Sequence, residues 1–210
     1  GVGAGKEIVK KGVDWLKVHG ATVIGLETMA RTMENIGFYS ALGFVPGKLT
    51  LTATSDATYA DKPAPLFGRL SSNDKEEMLE RCRNLVSSLQ PGYDHTREIE
   101  LTDELALGDT LLLLKRDRLV GFALCHTAPL VEGRTREDLR VLKMSLADLS
   151  HLDEMMRLLA DLARRSGTRR VSVRVQGDYE SVYQRLIAAR GRVRWSDLRM
   201  TYAGSPGPKI

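Results

Sequence analysis

The sequence predicts an α+β fold on three observations. Stretches with apolar residues at helical spacing alternate with strand-like stretches, glycines stop the helical ones, and the order helix, glycine, strand, helix, glycine, strand occurs twice. The 210 residues suit one or two domains, and 42% hydrophobic with 28% charged residues is ordinary globular composition with sufficient core material.

The chain opens Gly1-Val2-Gly3-Ala4-Gly5-Lys6. Alternating glycines ahead of an amphipathic run let successive backbone N–H groups converge on an anion, because no Cβ blocks its approach and a helix N-terminus favours negative charge. Ile8, Val9, Val13 and Leu16 recur at helical spacing, Gly20 stops that helix, and residues 22–28 read as a short strand centred on Val23, Ile24 and Leu26. A second helix spans about 32–42 and stops at Gly43; Leu49, Leu51 and Ala53 then alternate with polar residues in a strand over 48–54.

Residues 55–72, with Asp56, Asp61, Pro63, Pro65 and Gly68, have the composition of a linker. Asn73, three residues ahead of Glu76, has the spacing of a capping box for a helix whose buried face is Met78, Cys82, Leu85 and Leu89, ended by Pro91-Gly92. Residues 109–114 and 119–127 form two apolar strands around the charged turn 115–118, and 139–146 alternates as a third. Ser150 can cap a helix with Leu152, Met155, Leu159 and Leu162 inward; Gly167 ends it. Val171, Val173 and Val175 mark a strand. Residues 180–190 form a helix with Val182, Leu186 and Ala189 inward, Gly191 is its stop, 192–202 is a closing strand and 203–210 a loose tail.

Gly20 and Gly167, Gly43 and Gly191, and Leu49 and Leu198 stand in matching places about 148 residues apart, a period of domain length that reads as a tandem duplication.

Glycine loop, helix, strand, a helix carrying Tyr39-x-x-x-Gly43-Phe44, then strand resembles the C-terminal half of an acyl-CoA-dependent N-acyltransferase of the GNAT superfamily, over residues 1 to about 54. The resemblance implies a mixed, twisted sheet flanked by helices. It places Gly1-Val2-Gly3 on the family's Gly-x-Gly, which binds the CoA pyrophosphate through main-chain N–H groups, with Ala4, Gly5 and Lys6 continuing the cradle. Asn35 matches the residue that touches the CoA arm, and Tyr39 the general acid that protonates the departing thiolate. The activity so implied is that of an N-acetyltransferase: acetyl-CoA as co-substrate, direct attack by an unidentified amine, and no metal. Glu27 is available as a base, but a strand-end carboxylate is more often solvated or capping. The alternative is a non-catalytic GNAT-like module that binds a ligand or partner.

Two other readings of the glycine loop fare worse. A nucleoside-triphosphate loop needs Ser or Thr after Gly-Lys, where Glu7 stands; a dinucleotide fingerprint has Glu27 as its acidic residue but leaves Tyr39-x-x-x-Gly43-Phe44 unexplained.

In the second copy the counterpart of the loop is residues 148–152, without glycine and with Asp148 where a pyrophosphate would sit, and Ile187 stands for Tyr39. The expected organisation is therefore 1–54, the C-terminal half of a GNAT-like domain; 55–72, a linker; 73–204, a degenerate second domain; and 205–210, a tail. With no initiator Met and the cradle at residue 1, the chain is expected to be an incomplete fragment of the enzyme that binds acetyl-CoA weakly if at all.

The net charge of +4 is mild, and the arginines of the last third lack the aromatic interleaving of a nucleic-acid surface. Cys82 and Cys125 sit in apolar patterns, as buried free thiols would, and the four histidines show no ligand spacing. With no apolar run of about 18 residues and no secretory leader, a cytoplasmic protein without membrane contact is expected. A homodimer is left open.

Overall fold

Gly3 and Gly20, both at positive φ, bracket helix α1 (Ala4–Val18), and the chain re-enters regular structure at strand β1 (Gly25–Met29), helix α2 (Met33–Ser40) and strand β2 (Phe44–Asp56). Next come a 3₁₀ turn (Phe67–Arg69), α3 (Ser72–Leu89), α4 (Thr96–Glu104), β3 (Gly108–Lys115), β4 (Arg118–His126) and β5 (Asp138–Leu146). A second 3₁₀ turn (Leu149–His151), α5 (Leu152–Arg165), β6 (Arg170–Gln176), α6 (Glu180–Ala188) and β7 (Arg192–Tyr202) complete the chain. The computed structural model describes residues 3–60, 62–127, 137–176 and 179–203, so Gly1, Val2 and the tail 205–210 lie outside the described residues. The seven strands form one mixed sheet in the order β1-β7-β2-β6-β5-β4-β3, flanked by helices as expected.

Two compact units share the chain, and neither is continuous. The first comprises residues 1–51, 176–179 and 194–210. Its small core is Val13, Ile24, Phe44 and Met200, with Val9, Tyr39, Leu42, Leu198 and Tyr202 packed against it. β1 runs antiparallel to β7, Gly25 opposite Thr201 and Glu27 opposite Arg199. Gly43 adopts φ +94 and accepts from the Ala203 N–H; a Cβ there would stand 3.3 Å from the Tyr202 ring, so the turn after α2 demands glycine on two counts. The predicted buried stripe of α1 is covered only in part. Val13 is buried and Val9 half-buried, whereas Ile8 is 70% exposed and Leu16 38%.

The second unit comprises residues 52–175 and 180–193. β3–β4 is an antiparallel hairpin turning on Arg116 and Asp117 at φ 49 and 61, β4–β5 is antiparallel, and β5–β6 is parallel with Asp138 opposite Arg170. Side chains of a strand alternate between faces, so Leu111, Leu113, Ala123 and Cys125 meet α5 through Met155, Leu159 and Ala163, while Leu112, Phe122 and Leu124 meet α3 and α4 through Met78, Cys82 and Ile99. Both faces are covered, which is why these strands read as unbroken apolar runs. Cys82 and Cys125 are free and buried, and burial pushes both thiols above their ordinary pKa.

Several local expectations are corrected. Ser71 caps α3, accepting from the Asp74 N–H, because the helix begins two residues earlier than Asn73 would have it. Asp148 accepts from the Ser150 N–H at 2.8 Å, so Ser150 receives a cap and does not supply one to α5. Leu89 and Ala189, predicted inward, are exposed. α4 escaped notice because its inward face carries Thr96 and Thr102 beside Ile99, too polar to register as a stripe. Within segment 55–72, Ser55 and Asp56 finish β2, Phe67–Arg69 is a 3₁₀ turn and Ser72 begins α3, and the irregular remainder of the described residues is not loose. Ala57 and Thr58 donate to the carbonyls of Arg169 and Ala160, Pro65 accepts from the Leu112 N–H, and Phe67 is buried among α3 and α4 residues.

Asp161 ties that segment to α5. Its buried carboxylate accepts from the Ala60 N–H at 2.9 Å and from Arg165 Nε–H at 2.7 Å. Burial alone would raise its pKa; the Arg165 and Ala60 donors outweigh it and hold the carboxyl below the ordinary value. A depressed folded pKa contributes stability above the unfolded value of about 3.9 and loses it as pH falls toward the folded value. Asp161→Asn should lower stability by about 1.5–3 kcal/mol at pH 7, the size of a charge-assisted bond, and the gap to wild type should narrow in denaturant titrations at pH 3. A gap of the same size at both pH values would show that the charge plays no part.

Candidate functional site

Of the site predicted from sequence, Gly3–Lys6, Asn35 and Tyr39 lie within the first unit, and Gly1 and Val2 fall outside the described residues. Gly3 sits ahead of α1 at φ 72, ψ 2, a conformation that lets its carbonyl accept from both the Lys6 N–H (3.0 Å) and the Glu7 N–H (3.3 Å). The Ala4 and Gly5 amides have no backbone partner among the described residues. They stand where the positive end of the helix dipole adds to Lys6, which is exposed; Glu7 opposes them with a loose pairing to Lys10 at 3.9 Å.

A Cβ on Gly5 would lie 3.9 Å from Phe38 Cζ, so the first turn of α1 is seated against α2. Asn35 is the third residue of α2, its backbone N–H bonded to the Thr32 carbonyl at 3.1 Å and its side chain half-buried. Tyr39 follows four residues later on the same helical face. Its ring stands edge-on to Phe38 (5.1 Å) and Phe44 (6.0 Å) and packs against the small core. The structure thus brings the first turn of α1 to α2 through Phe38. No hydrogen bond or ring contact among the described residues joins the Asn35 or Tyr39 side chain to Gly3–Lys6.

Glu27, weighed as a base, lies in the middle of β1 and accepts from Thr50 Oγ1–H at 2.7 Å. Sequence reasoning missed Phe38 and Tyr202. The latter accepts a hydrogen bond from Lys17 Nζ at 3.3 Å, with that ammonium 4.3 Å from its ring centre. Phe38 was legible as the aromatic neighbour of Tyr39, but Tyr202 comes from the far end of the chain and gave no local signal. The loop at 148–152, read from sequence as the counterpart of the glycine loop, is closed on itself: Asp148 takes the Ser150 N–H, the Ser150 hydroxyl and N–H together lower its pKa, and the Leu149 carbonyl accepts from Arg185 at 3.3 Å. Among the described residues no group of three His, Cys, Asp or Glu side chains could hold a metal ion, and no helix is long and apolar enough to cross a membrane.

No family model matches the chain, and no curated protein matches it in sequence. Solved structures do match in fold. A GCN5-related N-acetyltransferase from Sphaerobacter thermophilus superimposes with a TM-score of 0.60 at 14% identity, over 100% of this chain and 71% of its own. A tandem GNAT protein from the clavulanic acid biosynthesis pathway gives 0.60 at 11% identity, over 98% and 72%. An acetyltransferase of the GNAT family from Colwellia psychrerythraea gives 0.54 at 9% identity, over 86% and 64%. The fold is the GNAT fold, and this chain spans roughly two thirds of the length of proteins that share it.

Two glycines of α1 should respond with opposite sign. Gly3→Ala forces a Cβ into the left-handed region and should destabilise the first unit by about 1–2 kcal/mol. Gly12→Ala, mid-helix with open space around it, should stabilise by about 0.5–1 kcal/mol. Thermal melts of the two variants check both signs.

Proposed function

We propose that the first unit carries an acyl-CoA site and that the protein transfers an acetyl or similar acyl group from CoA to an amine. The observation that carries this reading is the first turn of α1, opened by Gly3 in the left-handed conformation and seated through Phe38 on the helix that bears Asn35 and Tyr39. The GNAT fold of the chain supports it.

The roles follow from the chemistry of each group. In the Gly1–Lys6 cradle the Ala4 and Gly5 amides, which have no backbone partner among the described residues, and the Lys6 ammonium meet the pyrophosphate oxygens. Asn35 offers an amide to the pantetheine arm. A neutral amine attacks the thioester carbonyl, the carbon–sulfur bond breaks, and the Tyr39 hydroxyl gives its proton to the departing thiolate while the attacking nitrogen loses its own. No residue is assigned as base; Glu27 is committed to Thr50.

We further propose that residues 1–54 represent the C-terminal half of one GNAT-like domain and 73–204 a second, degenerate one. The matching glycines support this, as do the self-closed loop at Asp148, the exposed apolar side chains of α1, and the place of β1 at the end of the strand order, where its outer edge has no partner among the described residues. A second reading, a module that binds acetyl-CoA without turning it over, is favoured by the position of Tyr39, whose ring packs into the small core.

Calorimetry with acetyl-CoA and thiol release across a panel of amines, on this chain and on one extended upstream, separate the readings. The extended chain should bind tighter, with one CoA per chain. Tyr39→Phe should lower its turnover by about 10–10⁴-fold with CoA affinity nearly unchanged, the range for removing a general acid. Binding without turnover by any amine would establish the module; unaltered turnover in Tyr39→Phe would remove that residue from the chemistry.

A further inference from the structure

The second unit holds a cavity of about 460 Å³ between the end of β2, one face of α5 and the C-terminal end of α6, within the range of about 300–1,000 Å³ typical of small-molecule sites. Part of its lining is apolar: Leu152, Met156 and Ala160 stand at successive turns of α5, with Leu186 of α6 also contributing.

Three of the residues that line the same cavity carry guanidinium groups. That of Arg185 is committed, donating to the Leu149 carbonyl at 3.3 Å and standing 3.7 Å from Asp153. Arg157 and Arg190 form no ion pair or side-chain hydrogen bond among the described residues, and Asp56 is the one remaining lining carboxylate. Once Arg185 and Asp153 offset each other, the lining carries one uncompensated positive charge. Arg190 is set beside the cavity by its backbone. It takes φ 64, and the Gly191 N–H donates to the Leu186 carbonyl at 2.8 Å, so α6 ends in a left-handed turn on an arginine, a conformation that side-chain-bearing residues rarely adopt.

We propose that this cavity binds an amphipathic monoanion, an aliphatic carboxylate whose head pairs with Arg157 and Arg190 and whose chain lies on Met156, Ala160 and Leu186. One negative charge brings the lining to neutrality, and the planar guanidinium fork matches a carboxylate in a way a point cation does not. The site is separate from the acyl-CoA site of the first unit and does not rest on that reading.

The test is calorimetric titration of the intact chain with decanoate below its micelle concentration, beside decyltrimethylammonium and inorganic phosphate. Saturable one-site binding of decanoate is expected, at least tenfold tighter than either control. The double variant Arg157→Ala/Arg190→Gly changes two exposed side chains and should melt no lower than wild type while losing at least tenfold in decanoate affinity. Ala189→Leu, which fills the cavity from an exposed position, should also weaken binding. The proposal is overturned by absence of saturable decanoate binding, by equal binding of the cationic amphiphile or of phosphate, or by wild-type affinity in the double variant.

Discussion

The second unit depends on one buried charge. Asp161 sits on α5 with no exposed surface to speak of, and its carboxylate satisfies a backbone amide of the segment leaving β2 and a guanidinium one turn along its own helix. Two neighbouring backbone bonds run beside it, from Thr58 to Ala160 of α5 and from Ala57 to Arg169 ahead of β6, so a segment without regular structure is fixed by three links, two of them to the helix. That fixation leads the chain on to Pro65 and Leu66, which dock on β3 at Leu112 and Leu111, and to Phe67, which enters the core under α3. A buried carboxylate held by one partner alone would be a liability; held by a guanidinium and an amide, it specifies where an otherwise featureless stretch must lie.

What could be read from the chain and what could not divides along a physical line. Strands β3, β4 and β5 were legible because both faces are buried, and a run such as Leu111–Leu114 leaves little else to be. The helix stops at Gly20, Gly43 and Gly167 were legible because positive φ is written in the residue type. α4 was not, since its burial is carried by Thr96 and Thr102 as much as by Ile99. Nor was the role of segment 55–72, whose order is imposed by Asp161, a residue about a hundred positions away. At the candidate site, the glycine turn and the Asn35–Tyr39 spacing were local and visible. The seating of Gly5 against Phe38, the bond from Thr50 to Glu27 and the packing of Tyr202 arise from chain reversal and have no signature in any short window.

The loops that open α1 and α5 differ in how their amides are satisfied. Ahead of α1 a glycine turns the backbone so that amides are left over. Ahead of α5 an aspartate supplies its own anion to the Ser150 amide, with Arg185 drawn onto the Leu149 carbonyl. The second loop needs no ligand to be satisfied, and an incoming phosphate would have to displace a covalently tethered carboxylate while facing its charge. The cavity beside α5 and α6 adjoins that closure, because Arg185 both lines the cavity and holds the Leu149 carbonyl.

The pairing of β1 with β7 has a consequence for biosynthesis. In the strand order β7 stands between β1 and β2, so β1 obtains its neighbour only when the chain reaches residues 192–202. Roughly 170 residues separate the two, which at about 5–20 residues per second of translation leaves β1 without that partner for roughly ten to thirty seconds after it is made. During that interval a short strand carrying Leu26 and Met29, followed by helix α2 (Met33–Ser40), emerges with no sheet to join, whereas the β3–β4 hairpin closes on its two-residue turn as soon as it is made. Of these two pairings the strand synthesised earlier is thus the later to be completed, and a nascent chain stalled before Arg192 would leave the ribosome-exposed portion with an open strand for chaperones to shield.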